Sequence, residues 1–256
     1  MNPLINLLKM EFNRFFTNNM MYILLVIFMA FQVFGIFMIK QYEQPDQEGI
    51  LLSTMNESQF IQAMLSQTPS WVMMYIMVFS VYFYMSEYNA GFYKNYISMK
   101  NARIYSVISK ILILGLFTLL MFIVMLVSDL IGRAIFFENA AIGDLQYFFK
   151  LLVGQFLLHW AFAIVILCIT MLLKNMIASI IIGLVLVLNV FGVAVSLLES
   201  LVWDLNLSSY LLINTIVSVM DFNELQTVIH VVIAALAFMM LFSFVAVRYK
   251  LNEDLR

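Results

Sequence analysis

Few residues of this chain could do chemistry. Two histidines, His159 and His230, and one cysteine, Cys168, lie inside long apolar stretches. His159 stands beside Trp160 and neither histidine shares its stretch with an acid, so each reads as a hydrogen-bonded packing residue rather than a proton carrier. Neither belongs to an H-E-x-x-H zinc motif, and no G-x-S-x-G nucleophile elbow is present. A lone cysteine allows no intrachain disulfide and no multi-cysteine metal site. No G-x-x-x-x-G-K-[ST] phosphate cradle occurs, so ATP cannot be hydrolysed here by the P-loop route and any ATP must be used by a partner. No catalytic residue and no metal site is expected.

The elements that carry these residues are apolar and long. Hydrophobic residues make up 64% of the chain and charged residues 11%, against about 45–50% and 25% in soluble domains. A helix crossing the hydrocarbon core needs about 20 apolar residues, because no water is there to satisfy the backbone. Six stretches qualify as expected spans: 20–39, 63–85, 111–131, 151–173, 176–198 and 227–247. The expected fold is an all-α polytopic membrane protein forming a single transmembrane domain over 1–256. What lies between the stretches is too short for a separate soluble or enzymatic domain. The first stretch lacks a small-x-small cleavage site, so it is expected to stay as a span rather than to be removed as a signal peptide.

Residues 1–19 precede the first span and mix Lys9, Glu11 and Arg14 with Leu4, Leu8, Phe12 and Phe15 at helical spacing, which predicts an amphipathic interfacial helix. With that helix inside the cell, Lys9, Arg14, Lys94, Lys100, Arg103, Lys110, Lys174, Arg248, Lys250 and Arg256 all fall on the inner side. Only Lys40, Arg133 and Lys150 fall outside. Basic residues set orientation, so both termini are expected in the cytoplasm of a plasma membrane. Lys174 and Asn175 alone join the fourth and fifth spans, which forces an antiparallel hairpin. The external segment 199–224 contains the uncharged run Leu205–Met220, too short to cross, and is expected to form re-entrant helices. Asp129 and Arg133, four apart, are expected to pair across one turn. Asn189, with the small pair Ser179 and Gly183, reads as a polar clasp and a close helix approach.

The longest inner loop, 86–110, belongs to the stretch SEYNAGFYKNYISMKNARIYSVISKIL. Glu87 closes the second span, Gly91 follows four residues later, and Lys94, Lys100, Arg103 and Lys110 line the way into the third. Together with the N-terminal segment LLKMEFNRFF and the six spans, this loop resembles the permease subunits of ABC-2 type transporters. Within that family the chain is most similar to Gram-positive peptide exporters, among them phenol-soluble modulin exporter subunits and lantibiotic immunity permeases. It departs from the family at Gly91-Phe92-Tyr93, where many members carry Gly-Thr and then a charged residue.

The resemblance implies an exporter permease that moves amphipathic or hydrophobic peptides, taken laterally from the lipid, through a cavity between two permease subunits. A cytoplasmic ATPase would bind ATP and Mg²⁺, leaving this chain without a cofactor, and nucleic acid has no part. The ATPase-docking and coupling set is then Glu87, Gly91, Lys94, Lys100, Arg103 and Lys110 with Lys9 and Arg14. Lys100 and Arg103 are expected to touch the partner, and Glu87 to fix the loop to the N-terminal helix through Lys9 or Arg14. The same basic residues could instead mark the inner face and meet anionic lipid. Two rivals stand beside this reading. A non-ATP carrier or channel would want charges within the spans, which are missing, whereas a membrane sensor or assembly protein would look the same from its docking loop.

Overall fold

The computed structural model describes residues 3–43, 51–92, 100–139, 141–202 and 208–253. Among them every regular element is a helix: α1 (Pro3–Phe16), α2 (Asn19–Tyr42), α3 (Glu57–Leu65), α4 (Trp71–Asn89), α5 (Lys100–Phe136), α6 (Leu145–Leu173), α7 (Met176–Val187), α8 (Val190–Val202), α9 (Leu212–Val217) and α10 (Leu225–Leu251). Among the described residues four helical stretches are long and apolar enough to cross a membrane: Asn19–Tyr42, Asn101–Phe136, Leu145–Leu173 and Leu225–Leu251. They become five if α7 and α8, bent by 48° at Leu188–Asn189, count as one broken span.

Local sequence explains the breaks. The expected second span, 63–85, is not one helix, because α3 ends at Leu65 and α4 begins only at Trp71. Pro69 lacks the amide hydrogen a continuing helix would need. The Ser70 side chain then caps α4 by accepting from Met73 N at 3.4 Å. Asn175 caps α7 in the same way, from Ala178 N at 3.1 Å. Lys174, left-handed at φ 51°, makes the turn that folds α7 back from α6.

The core is built from α4, α5 and α6, where Phe79, Phe117, Phe162 and Leu158 are fully buried. Phe79 stacks on Phe117 with ring centres 3.8 Å apart. Around this core α2 packs along α5 and α10 along α6. Outer faces remain apolar, as at Val26 on α2, Ile177 on α7 and Ile233 on α10, which suits a lipid surround rather than water. Segment 199–224 is partly described. After residues 203–207, which lie outside the described residues, come one 3₁₀ turn at Ser208–Tyr210 and the short α9, whose Leu212 and Ile216 are buried.

Candidate functional site

Four charged side chains converge where α1, α4 and α5 meet. On α1, Glu11 falls in the stripe 4-8-11-15 that otherwise holds Leu4, Leu8 and Phe15, so helical spacing turns a carboxylate toward the core. It is 1% exposed. Lys110, in the third turn of α5, donates to Glu11 Oε1 at 2.7 Å and pairs with Glu87 Oε2 at 2.8 Å. Arg14 pairs with Glu11 at 3.1 Å and with Glu87, donates to the Phe83 carbonyl at 3.0 Å, and lies 3.9 Å over the Phe83 ring.

Two carboxylates thus face two cations. That balance matters, because a buried ion without its partner costs several kcal/mol. Glu87 has a second reason to need it. An anion in the last turn of α4 faces the negative end of the helix dipole, and the two cations offset that repulsion. Gly91 ends the element: at φ 71° it adopts the left-handed conformation that closes a helix, with its N–H on the Tyr88 carbonyl at 3.1 Å. The Glu-x-x-x-Gly spacing therefore supplies one charge anchor and one helix stop. A groove of about 370 Å³ opens beside the cluster, lined by Arg14, Asn18, Tyr82, Ser86, Glu87 and Phe92.

A second set of charges ties the chain's far end to this region. Glu253 forms ion pairs with Lys174 at 2.7 Å and Lys250 at 2.6 Å. Arg103 donates to the carbonyls of Leu251 and Glu253, each at 3.0 Å, where a cation also suits the C-terminal end of α10. Burial pushes the Glu253 carboxyl up, but Lys174 and Lys250 more than reverse this and hold it below its ordinary value. Burial likewise acts to lower Lys174, and Glu253 with Tyr249 outweighs it, so the ammonium stays charged well above its usual range.

The opposite end of α5 carries a third set. Arg133, fully buried, pairs with Glu57 on α3, donates to the Met55 carbonyl, and lies 5.3 Å over the Phe60 ring. The expected Asp129–Arg133 pair is corrected here, because Asp129 Oδ1 instead accepts from Gln32 of α2 at 2.9 Å. Burial pushes the Glu57 carboxyl up by more than Arg133 pulls it down.

The predicted coupling residues divide accordingly. Glu87 and Arg14 meet as expected, whereas Lys9 is exposed on α1 away from them. Lys94 lies outside the described residues, as does the side chain of Lys100. Arg103, expected at a partner's surface, is half-buried and holds the end of α10. Lys110, expected in the loop, is buried within the cluster. Sequence reasoning missed Glu11, Lys250 and Glu253, although a charge inside the 4-8-11-15 stripe was a readable signal. The His159 ring is fully buried, its Nδ1–H donating to the Gln155 carbonyl at 2.8 Å.

Spanning-length apolar helices with ion-paired clusters of buried charge near their ends define an integral membrane protein. Residues 7–192 match the family described as ABC-2 family transporter protein, and with most of its length matched the chain belongs to that family. Such proteins are membrane components of ABC transporters and generally work with a cytoplasmic ATPase. No curated protein matches the chain.

Proposed function

We propose that this chain is the permease subunit of a bacterial exporter that moves amphipathic or hydrophobic peptides outward, with ATP and Mg²⁺ held by a separate cytoplasmic ATPase and a second permease completing the path. The observation that carries this reading is the Glu11–Arg14–Glu87–Lys110 cluster. It joins the interfacial helix to both sides of the loop, so a push on α1 moves α4 and α5 as one body.

Counting α4 as a sixth span supports the six-helix topology with both termini inside, since its 19 residues reach about 28 Å. Lys110 and Arg133 stand 23 residues apart on α5, about 35 Å along the helix. That separation suits a reading with one cluster at each border of a hydrocarbon core about 30 Å thick. Exposed Lys9 on α1, and Phe92 in the wall of the groove next to the cluster, are the contacts we assign to the ATPase in place of Arg103 and Lys110. The apolar outer faces of α7 and α8, where Ile177, Val193 and Leu201 are exposed, suit a second permease and a peptide arriving from lipid.

Co-purification with the cognate ATPase, followed by ATP turnover in vesicles with and without amphipathic peptide, tests the reading. A complex weakened by Lys9→Glu, with turnover stimulated by peptide, is expected. Failure of any amphipathic peptide to stimulate an intact complex would overturn the exporter assignment.

A further inference from the structure

The α7–α8 break forms a small cavity whose lining is chemically uneven. Four phenylalanines, Phe162, Phe191, Phe238 and Phe242, contribute to a space of about 210 Å³, and Asn189 is its polar side chain. Asn189 is the residue at which the helix breaks, left-handed at φ 53° and 8% exposed.

The direction of its hydrogen bonds follows from the neighbours. The Ser208 carbonyl can only accept, so Asn214 must turn its Nδ2 toward it, at 2.8 Å. Asn214 Oδ1 then faces Asn189 and can only accept, so Asn189 presents its own Nδ2, at 2.7 Å. Asn189 Oδ1 is left buried with no hydrogen-bond partner. That oxygen lies over Gly192, a second wall of the cavity, where any Cβ would collide with it and with Asn214 Oδ1. An unpaired buried acceptor is costly and rare in a folded protein.

We propose that this cavity is a binding site for a planar aromatic group carrying one hydrogen-bond donor, of the indole or phenol class. The space exceeds the roughly 150 Å³ in which an apolar protein cavity takes up benzene. The phenylalanine rings offer edge-to-face and offset contacts to a flat guest. In the complex the Asn189 amide would turn from Gly192 and Asn214 to present Oδ1 to the guest's N–H or O–H, exchanging one neutral hydrogen bond for another. The same ring chemistry occurs in free indoles and phenols and in the Trp and Tyr side chains of a peptide. The site stands whether or not the cargo proposed above is right.

The test uses the full chain in lipid nanodiscs and compares binding of radiolabelled indole with that of benzothiophene, which has the same shape without the N–H. A preference for indole of about fivefold is expected from the hydrogen bond that only indole can donate. Asn189→Gly, which tolerates the left-handed backbone, should abolish the preference while leaving benzothiophene bound. Val165→Phe, filling the cavity from its α6 wall, should abolish saturable binding of both. Displacement of indole by a Trp-containing amphipathic peptide would assign the ring to peptide, and displacement by free indole alone would assign a free aromatic. Equal affinity for the two probes, or binding unaffected by Val165→Phe, would overturn the site. None of these readings involves ATP turnover, so they stand apart from the test of export.

Discussion

α5 carries a buried cation near each end, and the two are held in different ways. Lys110 sits among two carboxylates and a second cation, all on helices. Arg133 faces the carboxylate of Glu57 and a loop carbonyl, with Asp129 one turn away and occupied by Gln32. The first arrangement is redundant, since Arg14 still reaches both acids if Lys110 is lost. The second depends on one guanidinium. Redundancy suits a joint that must transmit force repeatedly, and dependence suits a joint that fixes a loop.

Substitutions should expose this contrast. Arg133→Leu is expected to be the most damaging, by about 3–5 kcal/mol, because it strands the Glu57 carboxylate in the interior. Thermal unfolding of the detergent-solubilised protein measures it, and adding Glu57→Leu should recover most of the loss. Lys110→Met should cost less, about 2–3 kcal/mol, since Arg14 remains with Glu11 and Glu87. Equal losses at the two sites would remove the distinction between them.

Smaller again is the clasp at the end of α10, where Glu253→Gln should cost about 1 kcal/mol. Its pH dependence has a definite sign. The folded carboxyl lies below its ordinary value near 4.5, so its contribution is full above that pH and fades as the pH falls below it. Unfolding curves between neutral pH and pH 3 should therefore converge for Glu253→Gln and the parent chain. Least of all, Lys9→Glu should leave stability within about 0.5 kcal/mol. Its effect should be confined to capture of the ATPase.

Much of this architecture was legible in the sequence, for reasons that differ by element. Apolar length marks α2, α5, α6 and α10, because a spanning helix has no alternative way to satisfy its backbone. The two-residue link Lys174–Asn175 marks the α6–α7 hairpin. Glu87 and Arg14 were legible as partners because an acid at a helix end next to a basic amphipathic helix has few other places to go. The partner of Arg133 is not legible, since its spacing from Asp129 suggests a local pair whereas Glu57 is 76 positions away and no periodicity connects them. Residues 63–85 have the apolar length of one span, which hides the proline and the serine cap that end one helix and start another. Asn189 was legible as a polar residue amid apolar ones, but not as a break, because asparagine in such a run is compatible with either.

Because α5 is unbroken over 37 residues, its two ends obey the kinematics of a stiff rod. Tilting such a rod by about 5° around Lys110 carries Arg133 sideways by about 3 Å over their separation of about 35 Å, as far as a hydrogen bond is long. Rocking at the one border must therefore either drag α3 along or part Arg133 from Glu57.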